Sequence, residues 1–119
     1  IAYLFASLAG VSKVGSYTGN GSSDGDTQDI DCGFTSGARF VLIKRTSSTG
    51  NWMLYDTERG IVSSGDDKRL ELNGTSAEDT NENCIEPLSS GFTVRWDIDS
   101  SASNNPNISG STYIFYAIA

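Results

Sequence analysis

Four aspartates, Asp24, Asp26, Asp29 and Asp31, fall within eight residues of a Gly- and Ser-rich stretch. Calcium takes several carboxylate and carbonyl oxygens on a flexible loop, so this cluster is the candidate metal site. Its spacing is not that of an EF-hand: the twelfth position counted from Asp24, which needs a bidentate Glu, is Thr35. The competing reading is a solvated hairpin loop. Asp56 and Glu58 stand two apart near an expected strand end and could contribute to the carboxylate pair a glycosidase needs. Polar turns create such pairs by chance, and a glycan-cleaving enzyme ranks last among the functions weighed.

Trp52, Tyr55 and Arg59 form the candidate surface contact, two aromatic faces on which a sugar could stack beside a cation. Against this, Trp in an alternating strand belongs more often to the core, and the same holds for Trp96. Lys44, Arg45, Arg59 and Arg95 are scarce positive charges that could contact acidic sugars. Ordinary cross-strand pairing with Glu58, Glu71 or Glu78 is the stronger expectation. Cys32 and Cys84 are a candidate disulfide pair, with two buried free thiols as the alternative. Asn20, Asn73 and Asn107 begin N-x-S/T sequons but read as turn residues.

The chain contains no histidine, which removes Ser–His and Cys–His nucleophile pairs and ordinary zinc sites. Eight basic against fifteen acidic residues give a formal net charge of −7. That balance argues against unspecific nucleic-acid binding, which depends on Lys and Arg neutralising phosphates. It also disfavours adhesion to anionic membranes, and no run approaches the roughly 20 apolar residues of a membrane helix. At 119 residues and 37% hydrophobic content, one domain with a real core is expected.

The elements that must position these residues centre on Ala38–Thr57. Phe40–Ile43 and Trp52–Tyr55 are short apolar runs joined by a polar, Gly-containing loop, the pattern of a β-hairpin at the centre of a sheet. Ser12–Thr18 reads as a strand, and Gly19–Asp29 as a loop. Ile30, Cys32 and Phe34 share one face, and Ile61-Val62 is a short strand or a packed anchor. Leu70–Leu72 alternates before the Asn73-Gly74 turn, and Thr75–Asn83 has room for one helical turn. Phe92, Val94 and Trp96 share a face, Asp99–Gly110 is a polar loop, and Ser111–Ile118 is a strand apolar on both faces. This spacing predicts an all-β, antiparallel two-sheet β-sandwich.

The opening segment Ile1–Ala9 is apolar, and Ile1–Ala6 aligns with Ile114–Ala119 at Ile, Tyr and the final Ala. It reads as a terminal strand that belongs to a preceding module or is donated to a neighbour, with residues 10–119 forming one sandwich domain. Because it opens on Ile rather than Met, inside an apolar stretch without the basic n-region of a signal peptide, the chain reads as an excerpt, either processed or cut from something longer.

Several phrases carry a resemblance: Gly15–Gly21, Cys32-Gly33-Phe34, Phe40–Arg45, Gly50-Asn51-Trp52, Tyr55–Gly60, Leu70–Asn73, Ala77-Glu78, Gly91–Val94 and Gly110–Ala119. Together they resemble a recurrent module of tailed-bacteriophage tail-fibre and other virion proteins. The resemblance implies a lectin-like (concanavalin-like) jelly-roll and a virion or extracellular setting, with no catalytic motif. Two departures stand out, the Asp-rich loop Ser23–Asp29 and Cys84 in place of an aromatic. The expected function is therefore a non-enzymatic structural and adhesive module of a tail fibre or virion appendage. Its loops Gly19–Asp29 and Asp99–Ser109 would contact a host-surface glycan or protein. Homo-oligomerisation, for instance as a trimer, would add avidity. The alternative is a filament or coat subunit joined to its neighbours by strand addition through the apolar N-terminal segment.

Overall fold

A computed structural model describes residues 1–119 as nine strands and no helix. No helix of the chain is therefore long and apolar enough to cross a membrane. The strands are β1 (Ser12–Thr18), β2 (Thr27–Asp31), β3 (Phe40–Arg45), β4 (Trp52–Asp56), β5 (Asp67–Glu71), β6 (Asp79–Glu82), β7 (Ile85–Leu88), β8 (Gly91–Arg95) and β9 (Thr112–Ile118). They form a six-stranded sheet in the order β1-β9-β3-β4-β5-β6 and a three-stranded sheet in the order β2-β8-β7. Every pairing is antiparallel. The chain changes sheet four times, and the two sheets close over one core as a β-sandwich.

The apolar hairpin sits where its composition places it. In β3–β4, Leu42 pairs with Leu54 and Ile43 with Met53, and β9 lies along the other side of β3. Alternation along the pleat buries Val41, Ile43, Met53 and Tyr55. From β9 come Tyr113, Phe115 and Ala117, and the small sheet answers with Ile30, Ile85, Phe92 and Val94. Ile61 and Phe34 close the core from loops, so Ile61 is a packed anchor rather than a strand residue. The last strand is apolar on both faces because Ile114, Tyr116 and Ile118 lie on the outer face of the large sheet.

Three stretches differ from the sequence reading, the first being Thr27–Asp29, which reads as the end of a loop but opens β2 through its pairing with β8. Thr75–Asn83 contains no helical turn and instead supplies β6, held against β5 through an irregular register. Ile85–Leu88 is a strand, β7, which makes a tight hairpin with β8 around Ser89-Ser90. Apart from β1, whose edge residues 6–8 partly cover, the edge strands are short or polar. β6 is four residues with no large apolar side chain, β7 carries Pro87, and β2 presents Asp29 and Asp31. Such edges discourage pairing with another chain.

The N-terminal segment is not a strand of this chain's own sheets. Its residues are exposed, with one isolated bridge from Leu8 to Ser12. Ser12 Oγ donates to the Ala6 carbonyl at 2.8 Å and the Val14 N–H donates to Ser7 Oγ at 3.0 Å, tying residues 6–8 to the edge of β1. The Phe5 ring then turns onto the outer face, with its centroid 4.4 Å from that of Tyr116.

Cys32 and Cys84 are free and buried, so the candidate disulfide is not formed. Cys32 follows the end of β2 and Cys84 precedes β7, and β8 runs between those strands. Two strand spacings separate them by roughly 9–10 Å. They also lie near opposite ends of the sheet, beyond the roughly 7 Å Cα separation a disulfide can span. Burial raises both thiol pKa values, that of Cys32 to about 11.

Gly91 marks the tightest approach in the small sheet. A Cβ there would lie 2.0 Å from the Ile30 carbonyl oxygen and 3.0 Å from the Cys32 nitrogen, both backbone atoms of the paired strand. Gly91→Ala is expected to cost about 1–3 kcal/mol, as overpacking of a rigid core does. A urea midpoint within error of the parent's would contradict this placement of the β2–β8 ladder.

Candidate functional site

The four aspartates do not converge. Asp24 Oδ1 is 4.0 Å from the Arg95 guanidinium and accepts the Ile98 N–H at 3.4 Å. Asp26 accepts the N–H groups of Ser22 and Ser23, both at 2.9 Å, and these bonds hold its carboxyl below the ordinary pKa. Asp29 accepts the Thr93 hydroxyl at 2.6 Å, and Asp31 accepts the Gly33 N–H at 2.8 Å. The physical reason is that β2 begins at Thr27, so one pair of carboxylates lies in a turn and the other on a strand. No group of three His, Cys, Asp or Glu side chains comes together anywhere to hold a metal. In place of a candidate calcium site, each carboxylate has hydrogen-bond partners of its own, two of them with residues far along the chain.

The expected surface platform is also divided. Trp52 and Tyr55 fall on opposite faces of β4, because three residues along a strand reverse the side-chain direction. Tyr55 is only 1% exposed and packs in the core, so it cannot meet a partner. Its hydroxyl donates to Met53 Sδ at 3.8 Å, and burial raises its pKa well above the usual phenol value. Arg59 folds back on its own turn, pairing with Asp56 and lying 3.8 Å from Glu78. Asp56 is thus engaged by Arg59 while Glu58 is exposed, and no paired carboxylates face a common cleft from these positions.

Trp52, 38% exposed, faces outward and helps line a groove of about 400 Å³ on the outer face of the large sheet. Register explains the lining. Val14, Tyr116, Leu42 and Leu54 form one row across four strands, and Ser16, Ile114, Lys44 and Trp52 form the next. Phe5 closes one side of the groove. Lys44 turns its ammonium aside to the Gly50 carbonyl at 2.6 Å, which leaves the lining without a charge.

At one end of the sandwich the loops 19–26 and 97–111 are locked together. Asn107, fully buried, accepts the Asn20 N–H through Oδ1 at 3.0 Å. Its Nδ2 donates to Asn20 Oδ1 and to the Asp26 carbonyl, each at 3.1 Å. The backbones of Gly21 and Asn107–Ser109 exchange hydrogen bonds at 2.8 and 2.9 Å. Asn105 donates to the Asp97 carbonyl at 3.1 Å and accepts the Asn107 N–H at 3.0 Å. Beneath them Tyr17 and Tyr113 stack with centroids 5.0 Å apart, and their hydroxyls donate to the carbonyls of Pro106 and Asn105. Burial raises both phenol pKa values, so these remain donors at any physiological pH. Gly19 and Gly21 permit the approach, since a Cβ on either would lie within 2.6 Å of the facing loop or Trp96.

A family described as a domain of unknown function, DUF7483, matches residues 1–119. The chain belongs to that family. No curated protein and no solved structure matches it. What the DUF7483 domain does must therefore be read from its own geometry.

The DUF7483 domain holds one further cluster, which the sequence reading missed. Arg69, 2% exposed, points from β5 into three carboxylates: Glu82, Asp79 at 2.9 Å and Glu71 at 3.5 Å. Glu82 also accepts the Ser100 hydroxyl at 2.8 Å, which links β6 to the 97–111 loop. Nearby, the buried Asp67 carboxylate accepts the N–H groups of Cys84 and Ile85 through Oδ2 at 2.7 and 2.8 Å. It thereby pins the crossing from β6 to β7, where the chain leaves one sheet for the other. Burial raises the Asp67 pKa to about 7, with the backbone N–H groups of Ile85 and Cys84 opposing the rise. Both groups are turned toward structural partners. Two accessible surfaces of the DUF7483 domain remain as candidates, the locked loop end and the apolar groove.

Proposed function

We propose that this domain is a non-enzymatic structural and adhesive module of a bacteriophage tail fibre or related virion appendage, presenting its loop end to a host-surface glycan. The observation that carries this reading is the buried Asn107 lock. Buried polar groups satisfied on every side make a loop pair rigid, and a rigid contact surface loses little entropy on binding. The tips left outside the lock, Ser22–Asp24 and Ile98–Asp99, are exposed and are the surface such a partner would meet. Weak single contacts multiplied by an oligomer would give useful avidity.

The test is a screen of immobilised bacterial surface polysaccharides against the domain displayed multivalently on beads. Binding to a subset is expected, and Asn107→Ala should weaken it about tenfold or more while leaving the fold intact. Asn107→Ala should also lower stability by about 1–3 kcal/mol, because it orphans buried partners. Display that captures no polysaccharide, or capture indifferent to both Asn107→Ala and replacement of the tips, would retire the adhesive reading.

A second reading, a subunit that assembles with copies of itself through the apolar N-terminal segment, is favoured by one observation. Tyr3 and Leu4 are 80% and 93% exposed.

A further inference from the structure

We infer that the groove on the outer face of the six-stranded sheet is a homotypic interface, filled by the Ile1–Leu4 segment of a second copy of this chain. This rests on the assembly reading and specifies its contact, replacing strand addition with side-chain docking.

Three observations converge on that occupant. The first is chemistry. The groove lining of Phe5, Val14, Leu42, Trp52, Ile114 and Tyr116 offers hydroxyls but no charged group. A sugar would find few partners for its hydroxyls there, whereas apolar side chains need none and can fill the groove while the peptide backbone stays on its solvent side. The arm matches, since the first charged side chain in the sequence is Lys13. The second is the arm's own behaviour. Phe5 already lies on Tyr116 at one side of the groove, so residues just before it emerge beside the unfilled volume with their side chains in solvent.

The third is area and charge together. Ile1, Tyr3, Leu4, Phe5, Leu8, Val11, Val14, Trp52 and Ile114 all stand exposed on the arm, the following turn or the groove. Taking about 150–250 Å² for a whole aromatic side chain, these residues leave roughly 1,000 Å² of apolar surface open. Two copies covering one another would bury about 2,000 Å², which reaches the size of a stable interface. Each copy carries a net charge of −7, so copies repel over most of their surface. The arm and the groove are a region where two such chains can meet without bringing like charges together. Patches of this extent on a monomer mark interaction sites.

The experiment uses the 119-residue chain in sedimentation equilibrium across micromolar to millimolar concentration. A concentration-dependent dimer or larger assembly is expected. Leu4→Asp in the arm and Ile114→Glu in the groove should each weaken it about 10- to 100-fold, the scale of losing one buried apolar side chain. Circular dichroism establishes that each variant is folded. Because Ile114→Glu alters a central strand, a second measurement avoids it. Chains carrying Tyr3→Cys are mixed with chains carrying Trp52→Cys under mild oxidation, and a mixed disulfide forms only if one copy's arm reaches the other's groove. Cys32 and Cys84 are buried and do not compete. A chain monomeric to millimolar concentration overturns both this inference and the assembly reading. Self-association that ignores both variants and gives no mixed disulfide overturns the groove contact alone and leaves assembly standing.

Discussion

Replacing Arg69 with alanine is expected to remove about 3–5 kcal/mol of folding stability, the cost of breaking a buried ion pair from one side. Domains of this size have about 5–15 kcal/mol in total, so the variant should sit near the edge of folding. The residue is 2% exposed, and its guanidinium is the shared partner of Glu82, Asp79 and Glu71. These carboxylates differ in how well they can escape. Asp79 and Glu71 are partly exposed and can turn to water, but Glu82 is buried and would keep only two neutral donors, the Ser100 hydroxyl and the Cys84 thiol. The loss should therefore fall mainly on Glu82. Urea denaturation of Arg69→Ala, Glu82→Gln and the double variant measures this directly. The double variant should recover a large part of the single-variant loss, because it removes the stranded carboxylate as well. If the two losses simply add, the cluster is not the coupled unit described here. Replacement of both residues by apolar side chains of similar volume should be far milder, since burying these charges costs desolvation energy in the parent.

That cluster also shows where sequence reasoning stops. Strands with a local signal are legible: Phe92–Trp96 alternates, Ser12–Thr18 does so weakly, and the Phe40–Tyr55 hairpin has both apolar runs and a polar loop. β6 was not legible, because Asp-Thr-Asn-Glu has no hydrophobic period and pairs with β5 through Arg69. β7 carries Pro87 and only two large apolar residues beside it, so its pairing with β8 is a tertiary event rather than a local preference. The phase of β4 was hidden for the opposite reason. Trp52-Met53-Leu54-Tyr55 is apolar at every position, so nothing local says which two face the core. Its register against β3 decides, sending Tyr55 inward and leaving Trp52 outside. The aspartate cluster reads alike as a loop or as a loop running into a strand, and only pairing of Thr27–Asp31 with β8 separates the four. Asn107 begins a sequon and reads as a turn residue. Its burial could not be read, because an amide lock requires two loops 80 residues apart to meet.

Stability should fall as pH rises from about 4 to about 7, by up to about 4 kcal/mol on account of Asp67 alone. The folded carboxyl, pushed up by burial to about 7, still holds its proton in this window, while the unfolded chain releases it near the ordinary value of 3.8. The folded state therefore binds more protons, and the slope of stability against pH is negative there. The stabilising contribution is complete below about 4 and is lost as pH passes the folded value. This is opposite in sign to Asp26, whose depressed carboxyl adds stability above the ordinary range and loses it on acidification. Asp67→Asn separates the two. The amide oxygen can still accept the Cys84 and Ile85 N–H groups, so the sheet crossing remains pinned while the titration disappears. Urea midpoints measured from pH 4 to 8 should decline for the parent and flatten for Asp67→Asn, with the variant at least as stable as the parent at pH 8. A parent curve that instead rises through this interval would mean that the two N–H bonds outweigh burial and that Asp67 is ionised throughout.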